Sequence, residues 1–190
     1  MRRIGSFAEL RALLREDWEV HDRALLSPGF HALFTYRLGV WSFDLPDSWR
    51  KRILRRLCRF AAFIAASSSG IELHADTVIG RRVRFPHRNV VIHQKARIGN
   101  DVLIRQNVTI GVIGSGQDDG APTIGDRVEF GAGAVAFGPI TIGHDVLIGP
   151  NVVVSEDVPP FTRLRAPRPE RRPRSSARRS APGPLPARET

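Results

Sequence analysis

The sequence predicts a mainly β solenoid standing behind a small α-helical domain, and three observations carry that prediction. Large apolar residues recur every six positions from Leu73 to Val154, the stretch before them repeats at three and four, and one glycine-rich insert breaks the six-residue period. A period of six fits neither a helix nor a simple hairpin. Antiparallel strands in a sandwich would instead place irregular turns about every eight to twelve residues.

The helical part runs from Ser6 to about Ala66. Ser6, with Glu9 three residues on, reads as an N-cap and capping box, and Leu10, Leu13, Leu14 and Trp18 follow on one face. Pro28 and Gly29 break the pattern. A second helix is expected from Phe30 to Trp41 with the stripe Phe30, Leu33, Phe34, Leu38 and Trp41, and Pro46 breaks it before a third. The third contains RILRRLCRFAAFIAAS, in which Cys58, the single cysteine, reads as a packed core thiol. Its longest apolar run, Phe60 to Ala66, is far too short to cross a bilayer. The basic helix suits packing against a partner subunit or contact with a membrane surface. SSSG at 67–70 is expected to be a hinge, so the domains are 1–70, 71–162 and 163–190.

In the repeat the ladder residues are Leu73, Ile79, Phe85 and Val91, then Ile98, Ile104 and Ile110, then Ile124, Phe130, Ala136, Ile142, Ile148 and Val154. Glycine or a polar residue commonly follows each, and valine or a small residue fills the fifth place. One single-residue slip falls at 97. The insert GVIGSGQDDGAP, with four glycines, two aspartates and a proline, cannot continue the wall and is expected to project as a loop over 111–123.

Composition narrows the partners. The formal net charge is +10, yet nine arginines against Glu170 and Glu189 put +7 of it in 163–190, an Arg, Pro, Ser and Ala segment expected to be disordered. That segment has no aromatic residue to stack on bases, so no nucleic-acid partner is expected. One cysteine excludes an internal disulfide framework and is compatible with a reducing cytoplasm, and the first residues lack the apolar run of a secretory signal.

Tandem hexads of this form resemble the left-handed parallel β-helix of the hexapeptide-repeat acyltransferases, in which three hexads make one triangular coil. The left hand is implied by the resemblance, since parallel crossovers are ordinarily right-handed. Two segments narrow it. SPGFHALFTYRLGVW at 27–41 is similar to the helical-domain signature GFHALxxYRxGxW of the serine acetyltransferases. IELHADTVIGRRVRFPH at 71–87, followed by IGNDVLIRQNVTIG at 98–111, is similar to their DIHPAAxIGxGxxxDH segment and the coil after it. The resemblance covers most of 7–162. It implies an acetyl-CoA-dependent O-acetyltransferase without a metal, with L-serine in cysteine biosynthesis as the first candidate acceptor and a sugar, polysaccharide or specialised-metabolite hydroxyl as the alternative.

Carried over by position, the resemblance puts the catalytic base on His87 and the acidic residue that orients it on Glu72. Acetyl transfer from a thioester needs a base for the hydroxyl proton, and histidine titrates near neutrality. Acetyl-CoA is expected along the coil at the edge between subunits, against Gly111, Gly114, Gly131, Ala132, Gly133, Gly149 and Pro150; the same residues also suit plain corners. On the acceptor side stand Asp17, which equally suits a solvated helix face, and Pro86, where the family carries a substrate-binding aspartate. Gly120 and Ala121 replace a family Arg-His pair. The resemblance further implies a homotrimer or dimer of trimers, while the cysteine usage and the short apolar run lead to the expectation of a cytoplasmic location and no stable membrane insertion. Two other readings are a zinc site of the γ-type carbonic anhydrase kind, whose HxxxxH spacing is lacking around His74, His87 and His93, and a scaffold binding RNA through the basic tail. His74 and His144 read as structural, and His93 carries no assignment.

Overall fold

The computed structural model describes residues 4–24, 26–114, 120–168 and 170. Three helices come first: α1 (Phe7–Val20), α2 (Pro28–Asp44) and α3 (Trp49–Ser69). Each opens on a serine whose hydroxyl accepts a backbone N–H three residues on: Ser6 from Glu9, Ser27 from Phe30 and Ser48 from Lys51. The Glu9 carboxylate reaches back to the Gly5 N–H at 3.0 Å, one residue before the cap.

Two expectations at helix ends are corrected. Pro28 starts α2 instead of breaking the pattern ahead of it, because the first helical position needs no N–H partner. Ser67 to Ser69 are the last turn of α3, and Gly70, left-handed at φ 65°, is its C-cap, so SSSG is a helix end rather than a hinge. The buried face of α2 also differs from the apolar stripe. It comprises Gly29, Ala32, Leu33, Tyr36, Arg37, Val40 and Ser42, while Phe34 is exposed.

Behind the helices stand three parallel sheets. One holds β1 (Ile71–Leu73), β3 (Val90–Ile92), β6 (Val108–Gly111), β9 (Val135–Phe137) and β12 (Val153–Val154), in that order. The second holds β2 (Val78–Ile79), β4 (Arg97–Ile98), β7 (Thr123–Ile124) and β10 (Thr141–Ile142). The third holds β5 (Leu103–Ile104), β8 (Glu129–Phe130), β11 (Leu147–Ile148) and β13 (Arg163–Leu164). From β3 to β12 successive strands visit the sheets in turn, and in the first and last coils the single bridges Arg84–Leu103 and Ile142–Val158 stand in for the missing strand. The hexad apolar residues meet inside: Ile79, Phe85, Ile104, Ile110, Phe130 and Ile142 are 0% exposed.

One ladder residue is misplaced by the sequence reading. Val91 is exposed, and its neighbours Val90 and Ile92 point inward, with Ile92 in register with Leu73 and Ile110. Ile92 to Ile98 is then an ordinary hexad, and the extra residue falls between Phe85 and Ile92 rather than at 97. The slip therefore lies in the corner that carries His87.

The second sheet ends on a column of glycines, Gly80, Gly99, Gly125 and Gly143. A Cβ on Gly80 would meet the Gly99 carbonyl oxygen at 2.2 Å, and one on Gly99 would meet the Gly125 backbone at 2.6 Å. The C-terminal boundary also shifts. Arg163–Leu164 pairs with Leu147–Ile148 as the last rung, two residues beyond the expected end of the wall. Of the segment expected to be disordered, 169 and 171–190 lie outside the described residues, as do 115–119 of the insert.

Candidate active site

The helical domain meets the first coil through the residues of the GFHALxxYR signature. The Tyr36 hydroxyl donates to the Thr77 carbonyl at 2.6 Å and accepts the Ile79 N–H at 3.3 Å. Arg37 donates to the carbonyls of Ile79 and Gly80 at 3.1 and 2.6 Å, and its other edge binds Asp17 at 3.0 Å. Arg37 and Asp17 are 1% and 0% exposed. Burial pushes the Asp17 carboxyl up and the Arg37 guanidinium opposes it. Asp17 is thus removed from the acceptor side. Both its oxygens are bound by a buried guanidinium that fastens α1 and α2 to the wall.

The same junction fixes the approach to His87. The buried His21 ring accepts the Phe85 N–H on Nε2 at 3.1 Å, so Nδ1 carries the proton and donates to the Asp17 carbonyl at 2.7 Å. Burial pushes the His21 pKa down, which favours this neutral ring. Gly29 permits the contact: a Cβ there would lie 2.2 Å from the Phe85 carbonyl oxygen and 2.5 Å from His21 Nε2. Beside it Arg84 binds Asp22, an exposed carboxylate that sequence reading passed over, at 2.7 Å. Phe85 is fully buried, Pro86 half-buried and His87 exposed, so the chain leaves the core within two residues. Asn89, at φ 61°, turns it back into β3.

His87 opens onto a cleft of about 400 Å³ along the third sheet, lined also by Arg105, Gln106, Glu129, Gly131, Ala132, Leu147, Ile148, Gly149 and Pro150. Four of the expected donor-binding residues therefore gather here with His87: Gly131, Ala132, Gly149 and Pro150. Gly111, Gly114 and Gly133 do not line the cleft, and neither does Pro86. Gly111 ends β6, in a different wall, and Gly133 forms a left-handed corner at φ 71°.

Glu72 is also exposed, on the outer side of β1 opposite Val91, and no hydrogen bond joins it to His87 among the described residues. The expected pairing is not made in this structure. Glu72 is held on a straight rung, whereas His87 leaves the wall in the slipped corner.

Arg105, Gln106, Glu129 and Leu147 were missed by the sequence reading. Arg105, Glu129 and Leu147 adjoin ladder residues and so face outward, a signal readable from strand alternation once the wall containing the cleft is known. Gln106 contributes a buried Oε1 with no hydrogen-bond partner among the described residues.

Three further histidines, His74, His93 and His144, are corner residues of the wall, while His31 lies on α2. His74 accepts the Asp76 N–H, and His93, one coil on, accepts the Lys95 N–H at 3.2 Å, which gives His93 a structural role. His144 binds Asp145 at 2.8 Å and meets Phe161 edge-on. Among the described residues no group of three His, Cys, Asp or Glu side chains is arranged to hold a metal ion. Cys58 is buried on α3, and burial pushes its thiol up.

No protein-family model matches the chain. The serine acetyltransferase of Mycobacterium tuberculosis is 45% identical over 136 residues, 70% of this chain and 56% of that protein. The serine acetyltransferase of Helicobacter pylori is 40% identical over 146 residues, 76% of this chain and 80% of that protein. The chain belongs to the serine acetyltransferase family. Solved structures of the family agree on the architecture, a left-handed β-helix behind a helical region. Serine acetyltransferase isoform 3 of Entamoeba histolytica, in complex with cysteine, matches with a TM-score of 0.71 and 27% identity over 90% of this chain and 63% of that one. The soybean serine acetyltransferase apoenzyme matches with a TM-score of 0.68 and 32% identity over 81% of this chain and 65% of that one. The chain thus spans just over half of the mycobacterial relative and under two thirds of the amoebic structure.

Proposed function

We propose that this chain transfers the acetyl group of acetyl-CoA to a hydroxyl, with L-serine as the first acceptor and a sugar or other hydroxyl as the alternative. The carrying observation is the cleft in which an exposed histidine, His87, faces the small residues Gly131, Ala132, Gly149 and Pro150. Small side chains let a pantetheine arm lie against the backbone. The imidazole takes the hydroxyl proton as the oxygen attacks the thioester carbonyl. The C–S bond then breaks, and the coenzyme A thiolate recovers the proton from His87.

Gln106 suits the oxyanion that forms between these steps. Its side chain lines the cleft, and the amide NH₂ is a hydrogen-bond donor. Glu72 is the candidate to orient His87 once the acceptor is bound, since catalytic hydrogen bonds often tighten only in the complex. The expected assembly is a homotrimer or a dimer of trimers in the cytoplasm, with acetyl-CoA as co-substrate at the subunit edge.

A thiol-release assay with acetyl-CoA, run against L-serine and a panel of sugars, tests the proposal. His87→Ala is expected to lower turnover by about 10²–10⁴-fold, the usual worth of a general base. Because the side chain is exposed, the variant should melt with the parent. Coenzyme A release that does not depend on His87 with any acceptor would overturn the reading. L-serine turnover with Pro86 in place would show that an aspartate at that position is dispensable.

A further inference from the structure

The third helix carries an outward face that the fold does not use. Trp49, Ile53, Leu57, Phe60, Phe63 and Ile64 are 48–65% exposed. At 3.6 residues per turn they fall within an arc of about 120°. The opposite side of α3, with Lys51, Cys58, Ala65 and Ser69, is the buried one. The apolar arc is therefore solvent-facing by position on the helix and runs along most of its length.

Its borders are basic. The helix holds Arg50, Lys51, Arg52, Arg55, Arg56 and Arg59 and no acidic residue. Lys51 is turned inward to Asp47 and Arg55 is stacked 4.3 Å from the Phe43 ring. Four exposed arginines remain around the arc. On the helical repeat Arg50 lies just beyond one edge, Arg52 and Arg59 lie beyond the other, and Arg56 sits inside that second edge. A wide apolar arc that includes a tryptophan and two phenylalanines, with arginine on both sides, matches a helix lying in the plane of a lipid headgroup layer. No helix among the described residues is long and apolar enough to cross a membrane, so contact would be with the surface.

We propose that α3 docks this protein on an anionic lipid bilayer, with the arc among the upper acyl chains and the arginines on the headgroup phosphates. Charge complementarity selects this occupant. A second copy packed arc to arc would bring two sets of arginines together with no carboxylate on either helix to meet them, and like charges across an interface are unfavourable. The proposal is independent of the acyl-transfer reading.

The test is flotation of the full chain with vesicles of phosphatidylcholine alone and of equimolar phosphatidylcholine and phosphatidylglycerol. Binding is expected only with phosphatidylglycerol and weakens in high salt. Phe60→Ser with Phe63→Ser should abolish it while leaving the thermal melt in place, since both side chains are exposed. Arg52→Gln, Arg56→Gln and Arg59→Gln should each weaken it by about fivefold. Tryptophan emission should move to the blue on binding, and Trp49→Phe should remove the shift. The proposal is overturned if phosphatidylglycerol vesicles float without the protein, or if the Phe60 and Phe63 variant still binds, which would assign lipid contact to the C-terminal arginines. It is equally overturned if that variant lowers the assembly mass in light scattering, which would make the arc a subunit contact, or if RNA is bound and vesicles are not.

Discussion

The seam between the helices and the first coil and the wall behind it are held by opposite kinds of contact. At the seam single polar groups carry the joint: Tyr36 on Thr77, Arg37 on Ile79 and Gly80, and His21 on Phe85, each pair more than 40 positions apart in the chain. In the wall one apolar contact is repeated from coil to coil, as in Ile92 on Ile110 and Ile110 on Ala136. A seam of unique contacts concentrates the effect of a change, and a periodic wall shares it among neighbours. His87 sits where the two regions meet, on a corner steadied from the helical side and open on the other.

Arg37→Met should break the contrast most strongly. It leaves Asp17 buried without its cation and two carbonyls without donors, and a loss of about 3–5 kcal/mol is expected in chemical denaturation. In the wall, Ile110→Ala opens a void beside Ile92 and Ala136 and should cost about 2–5 kcal/mol, toward the low end if the adjacent rungs relax into it. An Ile110→Ala loss larger than that of Arg37→Met would reverse the comparison. Tyr36→Phe strips the Thr77 carbonyl and Ile79 N–H of a shared partner, for about 1–3 kcal/mol by the same measurement.

The smallest effect is the pH response of the seam. His21 must be neutral to accept the Phe85 N–H, and burial lowers its pKa below the ordinary 6.5; Arg84 opposes the proton, while Asp17 and Asp22 favour it. Its contribution is therefore complete above pH 6.5 and is lost as pH falls toward the depressed folded value. The slope is at most about 1.4 kcal/mol per pH unit. Melts collected from neutral to mildly acidic pH should show this decline in the parent and not in His21→Gln.

The periodic part of this molecule was readable from sequence and the unique part was not. Ile98 through Val154 announce themselves because each inward residue is apolar and each rung repeats the last. The slip was misplaced because Val90, Val91 and Ile92 are all β-branched apolar residues, so hydrophobicity does not say which of them face inward. Asp17, Tyr36 and Arg37 were illegible as core because polar residues read as surface until their distant partners are known. The same applies to the cleft. His87 and the small residues could be carried over from a motif, whereas Arg105, Glu129 and Leu147 look like ordinary outward positions of a wall. That Glu72 and His87 stand apart is a matter of three-dimensional register that a linear spacing does not contain.

The column of glycines in the second sheet bears on how such a chain can change length. Each corner sits against the backbone of the next, so one enlarged side chain wedges two coils apart, whereas inserting or deleting one whole turn restores the same stack with a different number of steps. Descendants of this sequence should therefore grow or shrink by complete turns more readily than they accept a single bulky residue at Gly99.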